Sequence, residues 1–205
     1  MAGNRMDIFK FNEIMNSLKP TSLQQEPSEW RMFLEIIDTY FKNRGITYPL
    51  VVEIGVYNNL QKRFYESLFN TEHIGIDINW QPDANAPDIL GDSHSVETVE
   101  KLKILITGRM IDVLFIDGNH SYESVKRDYE LYAPLTRHII ALHDIHTTKL
   151  YPRDSIGVIE FWQELIRTNT RDTMIEIRHH NPKEGRGVFN PGRQMGIGLI
   201  IKDRR

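Results

Sequence analysis

The segment densest in reactive side chains is Phe115-Ile116-Asp117-Gly118-Asn119-His120-Ser121-Tyr122, with an acid, a glycine and a histidine within four residues. A second is Leu142-His143-Asp144-Ile145-His146. Both follow short apolar runs. If those runs are neighbouring strands, Asp117 and Asp144 face each other across a few ångströms. Two converging carboxylates either hold a divalent cation or raise one another's pKa. The blander alternative is that Asp117 or Asn119 caps a helix and the histidines are solvated. Of the eight histidines, His120 stands beside both the acid and the expected ligand, which makes it the best candidate for moving a proton.

Glu53-Ile54-Gly55-Val56-Tyr57 and Asp77 form another constellation. A glycine after a strand lets backbone approach a ligand closely. An acid ending the next strand can accept both ribose hydroxyls of an adenosine. Asp92-Ser93 offers a further acid, suited to an adenine amino group, although Gly91-Asp92-Ser93 also reads as a turn and helix cap. The dinucleotide pattern of three spaced glycines is missing, since Gly55 alone is present, and this argues against a pyrophosphate cofactor.

These residues need strands to carry them. Tyr48–Gly55, His73–Asp77, Pro87–Asp92, Ile111–Gly118 and His138–Asp144 are short apolar runs, each with an acid at or near its end. Between them, helical spacing predicts helices at Gln61–Phe69, over Val96, Val99, Leu102 and Ile106, and over Tyr122, Val125, Tyr129 and Tyr132. Upstream, Trp30, Phe33, Leu34, Ile37 and Phe41 predict a helix that starts near Ser28 and stops at Gly45. Val158, Phe161, Trp162 and Leu165 predict the last one. Thr173–Arg178 and Gly196–Lys202 then read as strands with no helix between them, hence an antiparallel hairpin at one edge. Alternating strands and helices imply right-handed βαβ units and an α/β doubly wound, Rossmann-like sheet. Ligands of such sheets sit outside the carboxyl ends of the strands. The basic loop from Arg178 to Gly187 can recognise an anion, but reads first as a solvated hairpin loop.

The chain has 205 residues, enough for one domain with a substantial core. Residues 1–27 read as an N-terminal extension and 28–205 as a single domain. Lys plus Arg number 25 against 28 Asp plus Glu, a net charge of −3. No global basic field exists, so nucleic acid is not an expected partner. The absence of cysteine excludes disulfides, thiolate zinc sites and thiol nucleophiles. No apolar run is long enough to span a membrane, and the first residues lack an apolar secretion core. A soluble, cytoplasmic protein is expected, with self-association through the N-terminal segment as an option.

The ordered set Glu53-x-Gly55, Asp77, Asp92-Ser93, Asp117-Gly118-x-His120-Ser121-Tyr122-Glu123 and His143-Asp144 resembles the class I S-adenosylmethionine-dependent methyltransferases. It is most similar to their small O-methyltransferase branch, with macrocin-type sugar methyltransferases and cephalosporin-biosynthesis relatives. The resemblance runs from about Trp30 to Lys202. It implies a seven-stranded sheet, mostly parallel with the last strand antiparallel. It also implies a methyl transfer to a hydroxyl of a small molecule, a sugar or secondary metabolite. By the same analogy Glu53, Gly55 and Tyr57 lie near the methionine end of S-adenosylmethionine, Asp77 at the ribose, and Asp92 and Ser93 at the adenine. Asp117, Asp144 and the neighbouring His143 would hold a divalent metal, Mg²⁺ or Mn²⁺, with His120 as general base assisted by Asp117. The chain departs from the pattern twice. The family usually continues its first loop with two glycines and a serine, where Asn59-Leu60-Gln61 stands here; Asn tolerates a left-handed backbone and Leu does not. His143 stands where some metal-dependent relatives carry an acid. Two other readings fit the same elements, a nucleotide-cofactor oxidoreductase and a non-catalytic nucleoside-binding module.

Overall fold

The computed structural model describes residues 6–19, 23–81, 85–146, 156–178 and 195–202. The basic loop beyond Arg178 therefore lies outside the described residues. A first helix, α1 (Ile8–Ser17), opens the chain, its N-terminus capped by Asp7, whose side chain accepts from the Lys10 amide. Its pattern is faint in the sequence because Phe11 and Ile14 are its buried residues. Phe11 packs 5.5 Å from the ring of Phe64.

Helix α2 (Pro27–Arg44) begins where proline is tolerated, and the Glu26 carboxylate accepts from the Ser28 and Glu29 amides. Gly45 ends it in a left-handed conformation at φ +65°, as the sequence predicts. The strands are β1 (Leu50–Ile54), β2 (Glu72–Asp77), β3 (Ile89–Leu90), β4 (Ile111–Ile116), β5 (Thr136–His143), β6 (Thr173–Ile177) and β7 (Ile197–Ile201). They form one sheet in the order β3-β2-β1-β4-β5-β7-β6. All neighbours are parallel except β7, which runs antiparallel to both β5 and β6. The expected hairpin is present, with β7 as its inner strand. Lys202, read as part of that strand, instead turns its ammonium to the Ala133 and Thr136 carbonyls, 2.6 Å from each.

Side-chain alternation along the strands builds two cores. Leu50, Val52, Leu114 and Ile140 pack with residues of α4 (Val96–Ile106), α5 (Tyr122–Tyr132) and α6 (Ile156–Thr168). Val51, Val113, Phe115 and Leu199 face Trp30, Phe33 and Phe64 on α2 and α3 (Gln61–Phe69). Helices on both faces make the sheet doubly wound, and chain order reverses where β1 lies beside β4. A crevice opens there.

Glu53 follows the same alternation and points, with Val51, into the second layer. Its carboxylate lies 3.0 Å from the His73 Nε2, and both side chains are fully buried. Burial holds the His73 imidazole down at about 3. Burial also raises the Glu53 carboxyl well above its ordinary 4.5, helped by the charge of Asp117. In the unfolded chain His73 takes up a proton below its ordinary 6.5, whereas the folded chain refuses it down to about 3. His73 therefore removes stability as pH falls through that window. Glu53 acts oppositely, but only above its unfolded value near 4.5. Between 4.5 and 3 only His73 acts within the pair, at about 1.4 kcal/mol per pH unit, or about 2 kcal/mol in all. His73→Gln is expected to flatten the acid limb of urea-measured stability by that amount. A wild-type slope retained between pH 4.5 and 3 would contradict the buried neutral imidazole.

Candidate active site

The carboxyl ends of β1 and β4 hold the site. Gly55 leaves β1 at φ +82°, its amide donating to the Ile76 carbonyl at 2.8 Å, while the Asp117 amide donates to the Ile54 carbonyl at 2.8 Å. These two bonds pin the three strand ends side by side. A cavity of about 500 Å³ lies over them, lined by Gly55, Tyr57, Asp77, Asp92 and Ser93 among others. The predicted cofactor residues thus converge on one wall, except Glu53, which lines neither this cavity nor the next. The reason is strand periodicity, which turns its side chain through the sheet to His73.

Asp77 does two jobs that the sequence did not separate. One carboxylate oxygen accepts from the Tyr57 amide at 2.7 Å, and the other from the Asn79 amide at 2.9 Å. It therefore holds the first loop in place. That loop has two left-handed residues, Tyr57 (φ +51°) and Asn59 (φ +53°). Leu60 keeps an ordinary right-handed conformation at φ −80°. The missing glycines cost no strain at Leu60, because Asn59 takes the left-handed position. Asp92 accepts from the His94 amide at 2.9 Å, so it serves as a turn former while its edge lines the cavity. His94 and Asp128 line the same region, and the sequence reading missed both. Asp128 belongs to the buried side of α5, and its role shows only when that helix is set against the β3 turn.

A second cavity, about 410 Å³, shares Gly55, Tyr57 and Asp117 with the first and continues to His120, His143 and Asp144. Asp144 sits one residue past β5 at φ +60°, a backbone that Asp tolerates better than most. His120 Nε2 lies 3.2 Å from an Asp144 oxygen and 3.8 Å from Asp117. Helix α5 is capped by Ser121, whose hydroxyl accepts from the Ser124 amide. Asn119 accepts from the Ser121 amide at 2.9 Å just before that helix, and His120 is left to the cavity.

Asp117, His120 and Asp144 each offer a ligand atom within 4.8 Å of the others. The expected set differs by one member. His143 Nδ1 bonds to Asp117 at 3.0 Å, so this histidine stands behind the carboxylate and orients it, and His120 takes its place in the cluster. Burial alone would lower the His143 imidazole, but the Asp117 and Asp144 carboxylates outweigh it and push it up to about 9. Burial would raise Asp117, yet the charge of His143 and the hydrogen bonds of both histidines bring it to about 2. His120 is raised above its ordinary 6.5, first by its hydrogen bond with Asp117. The resting site is an ion pair of Asp117 and His143 with His120 at its mouth.

The N-terminal segment completes the second cavity. Gln24 lines it. Gln25 is fully buried and donates its amide to Asp117 at 2.7 Å. Glu29 accepts from the Gly196 amide at 3.0 Å. No local sequence signal marks Gln25, because its partner lies on another strand end.

Residues 69–145 match a family model described as a methyltransferase domain. A comparison with curated proteins gives no match. Among solved structures, an O-methyltransferase from Bacillus cereus in complex with SAH has a TM-score of 0.56 at 13% identity, over 95% of this chain and 91% of that one. TomG, an O-methyltransferase from Streptomyces achromogenes involved in tomaymycin synthesis, in complex with SAM, gives 0.55 at 13%, over 94% and 89%. MycE from the mycinamycin pathway, in complex with Mg, SAH and mycinamycin VI, gives 0.50 at 17%, over 83% of this chain and 49% of MycE. This chain thus spans about half of MycE's length. The shared feature is the fold. Among the described residues no helix is long and apolar enough to cross a membrane.

Proposed function

We propose that this chain, whose residues 69–145 match a methyltransferase-domain model, is a class I methyltransferase that moves a methyl group from S-adenosylmethionine to a hydroxyl of a small molecule such as a sugar or secondary metabolite. The observation that carries the reading is the pair of cavities joined at Gly55, Tyr57 and Asp117. One has an acid where a ribose would lie. The other has a histidine paired with a buried carboxylate. Residues 28–205 form the catalytic domain in this reading, and Gln24 of the N-terminal extension lines its second cavity.

S-Adenosylmethionine, when bound, supplies an electrophilic methyl on a sulfonium sulfur. The chain provides position and a base. Asp77 accepts the ribose hydroxyls and fixes the Tyr57 backbone beside them. Tyr57, exposed on the shared wall, separates the two ligands. His120 accepts the acceptor's proton, and Asp144, 3.2 Å from its Nε2, stabilises the imidazolium that results. His143 holds the Asp117 carboxylate towards the cavity.

A divalent cation fits the cluster, because Asp117 and Asp144 offer hard oxygens, His120 a borderline nitrogen, and their ligand atoms lie close together. Mg²⁺ or Mn²⁺ held by the two carboxylates would lower the pKa of the acceptor hydroxyl.

The test is calorimetric titration with S-adenosylmethionine. Wild type is expected to bind. Asp77→Ala should bind about ten- to a hundredfold more weakly, since lost charge-assisted hydrogen bonds are worth about 1.5–3 kcal/mol and 1.4 kcal/mol is tenfold. Equal binding by both proteins would place the cofactor elsewhere.

A further inference from the structure

The buried amides beneath the cluster form one directed chain. Gln61 donates its Nε2 to the Gln25 Oε1 at 2.9 Å. Gln25 donates its own Nε2 to an Asp117 oxygen at 2.7 Å. Both glutamines are buried. At the far end, the Gln61 Oε1 is buried with no hydrogen-bond partner among the described residues.

The direction is dictated by Asp117. A carboxylate only accepts, so Gln25 must turn its NH₂ towards it. Its oxygen is then left to accept from Gln61, and the Gln61 oxygen is stranded. A stranded buried acceptor costs about 1–3 kcal/mol. The network is satisfied at the carboxylate end at the expense of the other.

A cation on Asp117 reverses the demand, because it attracts oxygen and repels N–H. Half a turn of the Gln25 terminal amide exchanges its O and NH₂ with almost no change in shape. The Gln25 NH₂ then points at Gln61, whose amide turns with it so that its oxygen accepts and its NH₂ takes the buried position the oxygen held. The two amides therefore have a second arrangement that needs no backbone movement.

We propose that Gln25 is a neutral oxygen ligand of the cation held by Asp117 and Asp144, brought into place by the joint reversal of the Gln25 and Gln61 amides. The inference rests on the cation reading of the cluster. It adds an amide carbonyl, a ligand type suited to Mg²⁺, Mn²⁺ or Ca²⁺, from a residue of the N-terminal segment.

Mn²⁺ binding, followed by loss of the free-ion electron paramagnetic resonance signal, tests this without any acceptor. Wild type should bind Mn²⁺ and Asp117→Asn should lose it. Gln25→Met keeps a side chain of similar length but has no ligand oxygen. It should weaken Mn²⁺ about tenfold or more, while Gln25→Glu, which presents an oxygen without any turn, should restore binding. Gln61→Met removes the acceptor for the reversed amide and should weaken Mn²⁺ several-fold. Circular dichroism and melting temperature identify any variant that fails to fold, and the remaining variants then decide. Unchanged or tighter Mn²⁺ binding in folded Gln25→Met overturns the inference and leaves the cation reading intact; tighter binding would mean that the amide merely competes with the ion. If wild type binds no Mn²⁺, the cation reading itself fails, and this inference with it.

Discussion

His120→Ala is expected to lower kcat about 10²–10⁴-fold, the usual contribution of a general base, with S-adenosylmethionine affinity nearly unchanged. The split follows from where the side chain stands. His120 lines the second cavity and not the first, so it meets the acceptor and not the cofactor. Helix α5 keeps its Ser121 cap in the variant, and the melting temperature should move little. Single-turnover transfer of a labelled methyl group to a hydroxyl acceptor gives the rate, and calorimetry gives the affinity. The wild-type rate should fall as pH drops through the titration of the imidazole, because only its neutral form accepts a proton. A rate unchanged in the variant would remove His120 from the chemistry.

The second large effect belongs to Gly55→Ala. An added Cβ would fall on the Asp117 carbonyl oxygen, with the carbonyl carbon at 2.6 Å and the Gly118 Cα at 2.7 Å. All three are backbone, so no side chain can swing aside. The φ of +82° adds a conformation that alanine resists. Separating β1 from β4 at this point would break the pairing of their ends and misplace Asp117. The expected result is a loss of about 3 kcal/mol or more, in the range of serious core overpacking and strain. Urea denaturation measures it. Near-wild-type stability would show that the two strand ends are not tightly apposed. Gly45→Ala is the useful contrast. It has a similar positive φ with nothing within 4 Å, so it should cost only about 1 kcal/mol.

Much of this site was legible because its residues obey local rules. Asp77, Asp117 and Asp144 follow apolar runs, and a parallel sheet brings such ends together. Gly55 declares a close approach by having no side chain. The mostly parallel sheet and its terminal hairpin followed from the alternation of strands and helices, and the end of α2 from Gly45. What stayed hidden depends on faces and long-range contacts. Glu53 was grouped with the other acids by chain position, yet period-two alternation, already present in Val51 and Val52, puts it on the far side of the sheet. His143 and His120 are both histidines near acids; only the ring orientation makes one a support for Asp117 and the other a member of the cluster. Gln25 and Gln61 gave no signal, since an amide announces chemistry only through its partner. Helix α1 was missed because its buried face holds Phe11 and Ile14 alone.

The placement of β7 has a consequence for synthesis on the ribosome. It is the last strand in chain order, yet it lies between β5 and β6. Until it emerges, β5 presents the open backbone edge of Ile139-Ile140-Ala141-Leu142, and β6 has no strand to join. Unpaired apolar edges recruit other chains. Glu29, made early, waits for Gly196 before its hydrogen bond can close. The emergence of β7 closes that edge and gives β6 its partner.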